Sequence, residues 1–182
     1  MAEPADPDRQ LEKLCRILNY FRVGYIVFGS HVARLNGVPV ETVDVDVVPA
    51  RMVDNLTRLA EALNLLRPRW RVEGIPEGMK IDGGLEARHF LGDSAAIGLV
   101  TRLGRSNVVL EPRGFEAGYS ALMAGSTRVR RGDVEIRVGG LADLIRSKEL
   151  LRRAKDIEHL AVLYERFPEL ATESQPEPPD PQ

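Results

Sequence analysis

The stretch Tyr25-Ile26-Val27-Phe28-Gly29-Ser30, with Thr42-Val43-Asp44-Val45-Asp46-Val47-Val48 shortly after it, decides the fold. Its first four residues are an apolar run stopped by Gly-Ser, the pattern of a short strand entering a turn. Residues 31–35 then read as a short helix closed by Asn36-Gly37. In residues 42–48, Val43, Val45 and Val47 alternate with Thr42, Asp44 and Asp46. Successive strand side chains point to opposite faces, so this is a half-buried strand with Asp44 and Asp46 on one face, roughly 7 Å apart.

Two uncompensated carboxylates side by side repel, and a fold that presents them on a central strand usually neutralises them with a divalent cation. The alternative is a strand face that turns its charges to solvent. Gly29-Ser30 carries a similar pair of readings. At a strand-to-helix turn the backbone can approach a phosphate, and Ser30 adds a hydroxyl donor; taken alone, an ordinary helix start with Ser30 as N-cap is the commoner case. Thr42 shares the Asp44 face as a substrate-facing hydroxyl or a plain strand threonine.

Working outward, Leu11, Leu14, Cys15, Leu18 and Phe21 recur at helical spacing and predict an opening helix that ends near residues 22–24. Residues 54–66 predict a third helix, stopping before Pro68. Residues 69–84 are glycine-rich and unassigned, whereas residues 88–91, 97–101 and 108–110 read as short strands of one sheet. Residues 115–123 predict a short helix, and 129–138 a hairpin turning at Gly132-Asp133. From 141 to about 164 the period is helical again.

A chain of 182 residues, 43% hydrophobic, can bury one substantial core. Its 25 basic and 27 acidic residues give a formal charge of -2, with no global bias toward nucleic acid or membranes. The single Cys15 sits on the apolar stripe of the opening helix and reads as a packed side chain. Neither a signal peptide nor a bilayer-length apolar run is expected, so the reading is a soluble, cytoplasmic protein with no membrane partner. His31 and His159 fall on expected helices and His89 on an expected strand, without zinc spacing. Arginines flank Trp70 (Arg67, Arg69, Arg71) and crowd the hairpin (Arg128, Arg130, Arg131, Arg137). Such clusters either track an RNA backbone or are solvated charge.

The strand-turn-helix-strand string around Gly29-Ser30 and Asp44/Asp46 resembles the signature of nucleotidyltransferase-fold proteins and, more narrowly, the AbiEii and MenT-type toxin group. The resemblance implies that Gly29 and Ser30 face a triphosphate and that Asp44 and Asp46 hold magnesium or manganese. Leu141-Ala142-Asp143-Leu144-Ile145-Arg146-Ser147-Lys148 is similar to the group's segment leading to a functional lysine. Helical geometry puts Lys148 on the stripe of Leu141, Leu144, Ile145 and Leu151, so it points inward, to meet a phosphate or to snorkel. Lys155-Asp156 resembles the start of the group's last helix; Asp156 would orient Lys148 or the substrate, or serve as a cap.

The fold's third carboxylate normally stands on a later strand after a glycine, where this chain offers Asn107. An amide can lend an oxygen to a cation but carries no charge and cannot act as a base. Glu111 lies about 13 Å further along that face and would substitute only through a bulge. The expectations are therefore an α+β (α/β) chain with the polymerase-beta-like nucleotidyltransferase fold, a mixed sheet flanked by helices and a C-terminal helical segment. One domain is expected over residues 11–170, between disordered tails at 1–10 and 171–182. The activity implied is transfer of NMP from an NTP to RNA, the tRNA 3′ end above all, by the toxin of a toxin-antitoxin pair. A non-catalytic nucleotide- or metal-binding module is the alternative.

Overall fold

The computed structural model describes residues 6–172. The elements run α1 (Pro7–Tyr20), β1 (Tyr25–Phe28), α2 (Ser30–Leu35), β2 (Asp44–Pro49), α3 (Val53–Asn64), β3 (Arg69–Val72) and β4 (Ile75–Lys80). After a 3-10 turn at Ala87–Phe90 come β5 (Ala96–Thr101), β6 (Gly104–Val109), α4 (Tyr119–Met123), β7 (Thr127–Arg131) and β8 (Val134–Val138). The chain then continues through α5 (Leu141–Leu151), α6 (Ala154–Arg166) and α7 (Pro168–Thr172). The strands form one eight-stranded mixed sheet in the order β4-β3-β5-β6-β2-β1-β8-β7. Its centre is mixed: β2 is antiparallel to β1 but parallel to β6, and β1 is parallel to β8. This is the mixed α+β architecture read from the sequence.

Helix α1 starts earlier than expected, so residues 7–10 are its first turn and not part of a disordered tail. The Asp6 carboxylate accepts from the backbone N–H groups of Asp8 (3.0 Å) and Arg9 (3.4 Å), and Pro7 opens the helix, where its missing N–H costs nothing. Residues 171 and 172 likewise belong to α7. The rest of both expected tails, residues 1–5 and 173–182, lies outside the described residues.

Leu11, Leu14, Cys15 and Leu18 are all buried, and α1 packs on α3, β2 and β8. Cys15 is fully buried, and loss of hydration pushes its thiol up to about 12, which makes it an unreactive packing group. Two local expectations are corrected. Residues 88–91 form no strand, because the Glu86 and His89 side chains box the N-terminus of a 3-10 turn and break the extended run. Strand β2 begins at Asp44, where pairing with Arg105 of β6 begins, so Thr42 and Val43 precede the sheet and Val43 is exposed.

Candidate functional site

A row of side chains crosses the middle of the sheet. The register sets Gly98 opposite Asn107, Asn107 opposite Asp46, and Asp46 opposite Phe28 at the end of β1. Asp44 stands two residues before Asp46 on the same face of β2. The row forms one wall of a cleft of about 580 Å³, within the usual size of small-molecule sites. The other wall is the α5–α6 pair.

On the sheet wall, the Asn107 amide donates to Asp46 Oδ1 at 2.6 Å and to Asp44 Oδ2 at 3.3 Å, bridging the carboxylates. Arg71 on β3 donates to Asp44 Oδ2 at 2.7 Å. Asp44 Oδ1 and Asn107 Oδ1 remain buried without a partner. Burial pushes the Asp46 carboxyl up; Asn107 opposes this and the neighbouring Asp44 charge adds to it.

Gly29 fits against the same carboxylate. Its backbone has φ +66°, a conformation that side chains disfavour, and a Cβ there would lie 2.1 Å from Asp46 Oδ2. Gly29, rather than Ser30, is the N-cap residue of α2. The Ser30 hydroxyl lies 3.4 Å from His159 Nδ1 instead. Thr42 spends its hydroxyl on the carbonyl of Asp44, at 3.0 Å.

The helix wall has a different chemistry. Lys148 is buried, so it does not snorkel: its ammonium donates to Asp156 Oδ1 at 3.0 Å and lies 3.1 Å from His159 Nδ1. An ammonium has no acceptor, so His159 Nδ1 must accept, which leaves its ring proton on Nε2. Asp156 also takes Arg153 Nε at 2.6 Å and the Arg153 backbone N–H at 3.3 Å, closing a capping box on α6. Burial pushes Asp156 up, but bonds from Arg153 and Lys148 outweigh it and hold the carboxyl at about 2. Burial lowers both Lys148, where Asp156 opposes it, and His159, where the Lys148 charge adds to it.

All the expected site residues, Gly29, Ser30, Asp44, Asp46, Asn107, Lys148 and Asp156, therefore line this one cleft. Glu111 borders it too but lies past the end of β6, and its carboxylate meets Arg51 at 3.4 Å. Among the described residues no three His, Cys, Asp or Glu side chains converge as a metal cluster. A cation here would rely on Asp44, Asp46 and the amide oxygen of Asn107. The two unpartnered buried oxygens in that set fit a hard cation, which takes oxygen ligands.

Sequence reasoning missed Arg71, Gly98, Arg153 and His159. Only Gly98 carried a local signal, since a glycine inside a strand often marks close approach by another group. The exposed arginines of the hairpin line no part of this cleft, and Arg128 pairs with Glu135 at 3.0 Å.

No protein-family model and no curated protein sequence matches the chain. Solved structures do resemble it. A Thermotoga maritima protein assigned as a nucleotidyltransferase aligns with a TM-score of 0.55 at 18% identity, over 92% of this chain and 98% of the other. The antibiotic-resistance factor ANT(2'')-Ia aligns with a TM-score of 0.60 at 12% identity, over 94% of this chain and 90% of the other. At these identities the likeness concerns the fold alone, which is the nucleotidyltransferase fold. Among the described residues, no helix is long and apolar enough to cross a membrane.

Proposed function

We propose that this chain is a magnesium-dependent nucleotidyltransferase that moves a nucleoside monophosphate from an NTP to a hydroxyl of RNA, with the tRNA 3′ end as acceptor. In the cell it would act in the cytoplasm as the toxin of a toxin-antitoxin pair, as the likeness of its motifs to the AbiEii and MenT-type group implies. The observation that carries the proposal is the sheet wall: Asp44 and Asp46 side by side, bridged by Asn107, with buried oxygens left unpartnered and Gly29 against Asp46.

Asp44, Asp46 and the Asn107 oxygen would hold magnesium or manganese, which supplies charge neutralisation at the phosphates. Ser30 and the Gly29 backbone border the cleft where the triphosphate would lie, with Lys148, Lys155 and Arg153 contributing positive charge opposite the carboxylates. Asn107 cannot receive the acceptor proton. Turnover then depends on positioning and charge neutralisation more than on a protein base.

The test is transfer of α-phosphate label from each of the four NTPs to RNA in the presence of magnesium. Label should enter RNA, and Asp44→Ala should reduce transfer at least roughly 100-fold, the scale of losing a principal electrostatic group. No transfer to RNA or protein with any NTP, together with no effect of Asp44→Ala, would sink the proposal.

Asn107 also favours a second reading, a nucleotide- or metal-binding module without turnover. Asn107→Asp separates the two. Transfer that this variant creates or greatly raises supports the module, and wild-type transfer that the variant leaves unchanged or lowers supports the enzyme.

A further inference from the structure

Arg71 reaches Asp44 from across the sheet. It sits on β3, one step beyond the Trp70–Leu99 pair with β5, and its guanidinium lies over Gly98. A Cβ on Gly98 would fall 2.8–2.9 Å from Arg71 Nε, Cζ and a terminal nitrogen. The bare backbone of Gly98 is therefore the channel through which the arginine reaches the carboxylate. At the end of that path Arg71 holds Asp44 Oδ2 at 2.7 Å, with both side chains partly shielded (36% and 22% exposed).

The oxygen it holds has a second donor. Asp44 Oδ2 is also the atom approached by the Asn107 amide group, which on its other side donates to Asp46 Oδ1. Oδ2 is thus the Asp44 oxygen that faces the Asn107 amide, and Oδ1 is the buried one left without a partner. A guanidinium only donates hydrogen bonds and is always charged, so it repels a divalent cation held by the same carboxylate.

We infer that Arg71 is a resident counter-ion of the carboxylate pair, seated on Asp44 through Gly98, and that a divalent cation binding at Asp44 and Asp46 must compete with it. The inference rests on the proposed function only in taking the occupant to be a divalent cation. Metal-free protein then keeps part of the Asp44 charge neutralised, and cation affinity is set by competition with an internal charge.

The test is calorimetric titration of the full chain with Mn2+ alone, for wild type, Arg71→Gln and Gly98→Ala, with folding checked by circular dichroism. Arg71→Gln should bind Mn2+ roughly twofold to fivefold more tightly, the range of a partly exposed ion pair. Gly98→Ala keeps the charge but puts a methyl group where the guanidinium lies, so its affinity should fall between the other two. Equal or weaker binding by Arg71→Gln overturns the inference, weaker binding meaning that Arg71 orients Asp44 for the cation. Tighter binding by Arg71→Gln with wild-type affinity in Gly98→Ala also overturns it, as a general charge effect. If no variant binds Mn2+, the cation reading of the site itself fails, and the inference with it.

Discussion

On the helix wall of the cleft, Lys148, Asp156, Arg153 and His159 satisfy one another, and Asp156 is fully buried with each oxygen hydrogen-bonded. On the sheet wall, Asp44, Asp46 and Asn107 share donors, yet two buried oxygens are left over and burial raises the Asp46 carboxyl. Both walls carry carboxylates shielded from water, but only on the helix wall does each carboxylate oxygen have a partner. A closed ion cluster is a scaffold; a carboxylate pair with spare oxygens is disposed to hold something else. Neutralising a carboxylate should therefore act in opposite directions on the two walls.

The largest effect belongs to the helix wall. Asp156→Asn leaves Lys148 buried without its counter-charge and should cost about 3–5 kcal/mol in urea unfolding. The pH dependence gives a second readout. Asp156 has its carboxyl lowered from 3.8 to about 2, so its stabilisation is fully present above pH 3.8 and is lost as pH falls through 2. Wild type should weaken between pH 4 and pH 2 more steeply than Asp156→Asn. Equal slopes would mean that the cluster does not hold α5 to α6 electrostatically.

A smaller loss is expected where the sheet wall depends on shape. Gly29→Ala meets a disfavoured backbone conformation, about 1 kcal/mol, and presses a methyl group on Asp46, about 1–3 kcal/mol more. Thermal unfolding of a double-mutant cycle separates the parts, because in an Asp46→Ala background only the backbone cost should remain. A cost that persists undiminished in that background would remove Asp46 from the account.

The contrast between the walls was legible in the sequence only in part. The Tyr25–Phe28 run and the alternation of Asp44 and Asp46 with Val45 and Val47 are short-range patterns, so β1, the Gly29 turn and β2 could be read directly. Lys148 followed from helical geometry in the same way. Thr42 and Val43 share the alternation but not the strand, because pairing with β6 sets where the strand starts and no local pattern encodes that partner. Residues 88–91 are too few for an apolar run to tell a strand from a 3-10 turn. Arg71 and His159 reach the cleft through contacts between residues distant in sequence. Arg71 lies 27 positions from Asp44, and His159 lies 129 from Ser30.

The smallest effect has the opposite sign and tests the central claim most directly. Burial raises the Asp46 carboxyl, so the folded protein holds its proton to higher pH than the unfolded chain does. The stability this brings is present at low pH and lost as pH rises through the folded-state value, which leaves ionised Asp46 a cost at neutral pH. Asp46→Asn keeps an oxygen for the Asn107 amide and removes the charge. In thermal unfolding without divalent cations at pH 7, the variant should melt a few degrees above wild type, on the order of 1 kcal/mol. A melting temperature clearly below wild type would mean that Asp46 is part of the scaffold, and the division between a binding wall and a structural wall would not stand.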